Sequence, residues 1–124
     1  MGQKRKTASQ DVLYELSRMM VPRDMLDYFD VFAIRELPNE WHIVLHEKVD
    51  MVPQILAGKT DVVLDGFCNP LHLLSHGFSQ KPVYLVVKRR RWKQSGQDAH
   101  YSNEYRQTDD PSKLTPDMAG FLKI

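Results

Sequence analysis

One stretch constrains this chain more than any other. An apolar segment, Val83-Tyr84-Leu85-Val86-Val87, passes without a break into Lys88-Arg89-Arg90-Arg91 and then Trp92-Lys93. β-Branched and aromatic residues at this density predict a strand. If the strand continues through the basic block, its side chains alternate between faces. Tyr84, Val86, Lys88, Arg90 and Trp92 then share one face, and Val83, Leu85, Val87, Arg89 and Arg91 share the other. On either face the root can be buried and the tip cannot. Arginine stays charged at any relevant pH, and an unpaired buried charge is too costly to hold. The tip must therefore meet water, acidic side chains or a polyanion.

The rest of the composition limits what that tip can mean. A chain of 124 residues makes one domain with one modest core. Net charge is only +1, so the protein is not a polycation throughout. Its basicity is local, in 81–93 and in Lys4-Arg5-Lys6, and a nucleic-acid reading has to rest on that patch. The single cysteine, Cys68, excludes an internal disulfide and a multi-cysteine zinc site, and fits a reducing, cytosolic setting. No apolar run is long enough to span a bilayer. The polar, basic start has no apolar segment behind it, so no signal peptide is expected.

Residues 1–8 read as a basic, flexible tail and 9–124 as a single domain. Ser9 or Thr7 is placed to cap a helix, and Val12, Leu13, Leu16, Met19 and Met20 recur at helical spacing as its apolar stripe. Val21-Pro22 breaks it, and Pro22 suits the first turn of a second short helix with Met25, Leu26 and Phe29 inward. Val31 to Glu36 reads as a strand, Leu37-Pro38-Asn39-Glu40 has turn chemistry, and Trp41 to Glu47 alternates with Trp41, Ile43 and Leu45 toward the core. Together these predict a hairpin. Residues 49–59 are ambiguous because Pro53 and Gly58 interrupt them. Asp61 to Asp65 is a short apolar run, Gly66 to Pro70 is loop-like with Phe67 as its anchor, and Leu71 to Leu74 is placed to pair with the later basic strand. Beyond Trp92, 93–98 has turn character, and 99–106 reads as a polar return strand with Tyr101 and Tyr105 on one face. Thr115-Pro116-Asp117 predicts a helix start, with Met118, Phe121 and Leu122 docking that helix.

The basic tip is the leading candidate site. Lys88, Arg89, Arg90, Arg91 and Lys93 suit phosphates or guanine edges, and a two-stranded ribbon fits the DNA major groove. Trp92 and Tyr101 are placed to pack on sugar or base, with Trp92 either a wedge or a packing anchor. The plain alternative is a solvated hairpin end whose charge discourages edge pairing. Asp98 and Glu104 are too few nearby to neutralise four adjacent cations, which favours a polyanion. Other chemistry is thinly represented. His42 and His46 on one strand lie about 13 Å apart, too far for one metal ion. His72 and His76 would chelate only on a helix. Cys68 lacks a histidine at a motif spacing, Ser75 points away from His76 on a strand, and there is no glycine-rich phosphate loop. Asp24, Asp27, Asp30, Asp61 and Asp65 are too scattered for two-metal chemistry. No catalytic residue, metal ligand or cofactor is assigned.

Three blocks of the sequence resemble the N-terminal region proteins of a group of bacterial insertion-sequence transposases, the Aon type. They are Val21-Pro22 through Tyr28-Phe29-Asp30; Gly66-Phe67, Pro70-Leu71, Val83-Tyr84-Leu85 and Arg89-Arg90-Arg91-Trp92; and Leu114-Thr115 with Phe121-Leu122-Lys123. The likeness runs over roughly 20–123 and is poor between Glu47 and Asp65. The basic strand is also similar to one in a transposase zinc ribbon, where it leads into a Cys-x-x-Cys pair. Here 93–96 holds no cysteine, so a related hairpin would stand without zinc. Lys88 replaces the arginine usual in the family.

The resemblance implies a non-catalytic DNA-binding part of a transposase, recognising the terminal inverted repeats of its element. The catalytic acids would lie on a separate polypeptide. The expected partners are duplex DNA at the element ends, that catalytic polypeptide and, as a further candidate, a second copy of this chain. Membrane is not among them, and the expected location is cytoplasmic and nucleoid-associated. The fold expected is α+β: two N-terminal helices, a mainly antiparallel sheet of about four or five strands with a protruding basic hairpin, and a short C-terminal helix. Two rival readings remain. One is an adaptor whose basic tip docks on an acidic protein surface. The other is a single-stranded RNA binder using Trp92, Tyr101 and Tyr105.

Overall fold

The computed structural model describes residues 12, 14–75, 81–107 and 114–116. Residues 14–20 form helix α1, and Arg23–Leu26 a single further turn, α2. Pro22 stands at the N-cap of α2, just ahead of its first turn. The chain then enters β1 (Phe29–Glu36), turns at Pro38-Asn39 and returns as β2 (Trp41–Glu47). That hairpin is the one the alternation predicts, with Glu36 opposite Trp41 and Phe29 opposite Glu47. A 3-10 turn at Gln54–Leu56 leads to β3 (Val62–Phe67), followed by β4 (Leu71–Leu74), β5 (Val83–Lys88) and β6 (Arg90–Gln94). Two short strands, β7 (Tyr105–Gln107) and β8 (Leu114–Pro116), complete the described chain.

The fold is α+β. Its main sheet has the order β1-β2-β5-β4, antiparallel except for the central parallel pair β2–β5. Leu71–Leu74 pairs with residues 84–87 of β5, as the sequence suggests. One face of this sheet is the core side. Ile43, Leu45, Leu73, Val83, Leu85 and Val87 pack there with Val21, Met25, Phe29 and Val31. Central strands that bury β-branched residues on both faces suit a parallel pairing, and here Val44 and Val86 are buried on the opposite face as well.

Four expectations need correction. The apolar stripe of the first helix faces the core only in part: Val12 and Leu16 are exposed and Met19 is 81% exposed. Ser17 is buried instead, with its Oγ donating to Tyr14 O at 2.7 Å, and Met20 packs on the core. Second, the strand does not run through the basic block. It breaks at Arg89, and β6 leaves the main sheet to pair with β3 as a separate two-stranded ribbon. Third, the polar return strand shrinks to a single bridge, with Tyr101 and Trp92 exchanging two backbone hydrogen bonds of 2.7 Å. Tyr105 pairs with β8 rather than β6, so no long basic hairpin protrudes among the described residues. Fourth, Thr115 and Pro116 lie in a strand, not at a helix start. The tail at 1–8, the caps at Thr7 and Ser9, His76 and the helix placed at Met118, Phe121 and Leu122 fall outside the described residues.

Candidate nucleic-acid interface

The four cations of the basic block have four different fates, and the break at Arg89 is the cause. Arg89 turns inward, its side chain only 17% exposed, and donates from Nη1 to Asn103 O at 3.3 Å and to Glu104 Oε2 at 3.1 Å. Its carbonyl accepts from Cys68 N–H at 2.9 Å, which stitches the break to the end of β3. Arg90 is half-buried. Its backbone N–H donates to Glu47 Oε1 at 3.0 Å and its Nε to Glu47 O at 2.5 Å, with the guanidinium 5.0 Å from the centre of the Phe67 ring.

Arg91 stays at the surface, 45% exposed, donating from Nε to Asp65 O at 2.9 Å with Nη2 3.6 Å from the Asp65 carboxylate. Asp65 is shared, since His100 Nε2 also contacts its Oδ2. Gly66, beside it, has φ +79°, and a Cβ there would come within 3.7 Å of Arg91 Nη2. Glycine thus supplies the left-handed backbone at the irregularity in the β3–β6 pairing between Leu64 and Phe67. Lys93, two residues from Arg91 and across from Val63, is partly exposed on the same ribbon face. Lys88 ends β5 with its amino group 5.7 Å from the Phe67 ring centre.

Trp92 alternates with these cations and faces the other way, 4% exposed and with its indole Nε1 buried without a hydrogen-bond partner. It is a packing anchor, not a wedge. Tyr101 is half-buried and serves β6 through its backbone. Tyr105 is committed to the core, its hydroxyl donating to Glu47 Oε2 at 2.5 Å and its ring 5.2 Å from Phe29. The triad Trp92, Tyr101 and Tyr105 therefore offers no common stacking surface.

Glu47 is the residue that sequence reading missed. It occupies a core-facing position of β2, fully buried, yet it is acidic. Besides Arg90 N–H and the Tyr105 hydroxyl, its carboxylate accepts from Asn103 Nδ2 at 3.2 Å, and that amide also donates to Met51 O at 2.6 Å. Burial pushes the carboxyl above its ordinary value, while these donors and the nearby Arg89 charge pull it back. Burial and the same carboxylate push the Tyr105 phenol upward. The only trace in the sequence is an acid continuing the apolar alternation Trp41, Ile43, Leu45, Glu47. The notion that nearby acids are too few fails for a related reason. Glu47 and Asp65, remote in sequence, arrive beside the basic block through β2 and β3.

His42 and His46 share one face of β2, as their spacing suggests, and each meets rings from other strands. His42 meets His72 across strands, ring centres 5.8 Å apart, and its Nε2 lies 2.5 Å from Glu40 Oε2. His46 is stacked under Phe32 at 3.9 Å and tilted against Phe67 at 4.7 Å. Desolvation first, then Lys88 and Arg90, hold His46 below its ordinary value. Among the described residues no group of three or more histidine, cysteine, aspartate or glutamate side chains could hold a metal ion. No described helix is long and apolar enough to cross a membrane.

No protein-family model, no curated protein and no solved structure matches this chain.

Proposed function

We propose that the chain is a non-catalytic, duplex-DNA-binding part of a transposase that grips the ends of its element through the β3–β6 ribbon. The observation that carries this reading is the pairing of Arg91 with Lys93 on the exposed side of a ribbon set apart from the main sheet. A two-stranded ribbon is a shape the major groove admits. The Asp65 contact does not remove Arg91 from use, because a half-exposed ion pair is worth about 0–1 kcal/mol and yields readily to a phosphate. Arg89 has a structural role and Trp92 a packing role. The DNA-contacting set contracts from the whole 88–93 block to Arg91 and Lys93, with Lys88 beside them in the chain. The sequence blocks that resemble insertion-sequence N-terminal regions suggest the biological setting, and the catalytic polypeptide is the expected partner.

The test is a titration of the full chain against random duplex and against duplex from the ends of the surrounding element. Tighter binding to the ends, weakened about tenfold or more by joint R91A and K93A substitution, supports the reading. No duplex binding, together with capture of a protein partner that survives nuclease treatment, would replace it with the adaptor reading.

A further inference from the structure

The main sheet has a second face that the ribbon reading leaves unused. Register places Arg35, His42, Tyr84 and Leu74 in one row across β1, β2, β5 and β4. The next row holds Ala33, Val44, Val86 and His72, and the third holds Asp30, His46 and Lys88. The register shift between Val31 and Ala33 turns Phe32 to this side too, where it stacks on His46. The result is a field of rings: His42 lies edge-on to both His72 and Tyr84, and Phe32, His46 and Phe67 form a second group. Val44 and Val86 are sealed beneath them.

A second small core would bury its rings. Here Phe32 is 62% exposed, and His72 and Leu74 are exposed as well. Cations stand at opposite corners: Lys88 at the end of β5, beside the Phe67 ring, and exposed Arg35 on β1. From the register they are about 16 Å apart along the diagonal. Of the acids on this side, Glu40 is engaged by His42 and Asp30 lies on the edge strand. Exposed π faces between separated cations match an unpaired base with its phosphates. They do not match a duplex, whose base faces are already stacked.

We propose that this sheet face binds single-stranded nucleic acid, with Phe32, His72 and Tyr84 stacking on unpaired bases while Lys88 and Arg35 meet the flanking phosphates. The site meets the ribbon reading only at Lys88, which ends β5 beside Phe67 of β3, and does not rest on Arg91 or Lys93. A nucleic-acid-handling chain with both would hold a duplex on one surface and an unpaired strand on the other.

The experiment is an anisotropy titration of the full chain with labelled oligo(dT) of about 12 nucleotides, in parallel with a random duplex. The joint F32A and H72A variant should lose about tenfold or more in oligo(dT) affinity and keep its duplex affinity within about twofold. The joint R91A and K93A variant should do the reverse. Photocrosslinking of bromouridine-substituted strands to the wild-type protein checks the same point without any variant, and crosslinks should fall on peptides carrying Phe32, His72 or Tyr84. The proposal is overturned if wild type ignores oligo(dT), if the F32A and H72A pair leaves that affinity unchanged, or if crosslinks fall only on 90–94. It is equally overturned if the pair instead converts a dimer to a monomer in sedimentation, which would make the face a contact between copies.

Discussion

Glu47 shows at the level of one residue how the basic block is held. Three donors from two parts of the chain, β6 and the 103–105 segment, converge on a carboxylate that the core would otherwise exclude. Replacing Glu47 with Ala strands the Arg90 amide, the Asn103 amide and the Tyr105 hydroxyl in a buried place, and we expect a loss of about 3 kcal/mol by urea denaturation. Replacement with Gln keeps the shape and one acceptor, so its cost should be smaller. Because the folded carboxyl titrates above its unfolded value, the native state holds the proton longer. Stability from this group therefore falls as pH rises from the ordinary carboxylate range through the elevated folded value. His46 acts in the other direction, its contribution being lost as pH falls from 6.5 through its lowered folded value. Subtracting the pH–stability curve of E47Q from that of wild type should isolate the Glu47 component. A difference curve that is flat would show that the carboxyl is not perturbed.

At the level of elements, the sequence was most informative where one period dominates. The β1–β2 hairpin and the pairing of Leu71–Leu74 with β5 follow from alternation and turn chemistry alone. The first helix did not follow, because its apolar positions 12, 16 and 19 obey the helical period yet face solvent, while Ser17 and Met20 turn inward. Periodicity names a stripe and cannot say whether anything covers it. Nor could the break at Arg89 be read from a run, 83–93, that holds no glycine or proline. It becomes intelligible only once Glu47, Cys68 and Asn103 are in place to receive the main-chain and side-chain groups around it.

Two element-scale measurements follow. With Trp41 changed to Phe, the remaining emission comes from Trp92, which should resist acrylamide quenching and stay unchanged on adding duplex. Ready quenching would restore the wedge. Changing Asp65 to Asn frees Arg91 and His100 from their shared carboxylate, and duplex affinity should rise by roughly twofold to fivefold at low salt. A fall in affinity would mean that Asp65 shapes the contact rather than competing with it.

For the whole molecule, the proposed function rests on a division of labour within one basic block: Arg89 and Arg90 knit the domain together, and Arg91, Lys93 and Lys88 are the cations the proposal assigns to DNA. Charge counting over the sequence gives four or five phosphate contacts and a log–log salt slope near −4. The proposed set numbers about three, and hence predicts a slope near −3. The most direct measurement is the salt dependence of duplex binding for wild type, for the R91A and K93A pair, and for R89A. We expect a slope near −3 that falls toward −1 in the R91A and K93A pair. R89A should keep its slope while the protein unfolds at lower urea. A slope unchanged by removing Arg91 and Lys93, or one that drops when Arg89 alone is removed, would contradict the assignment.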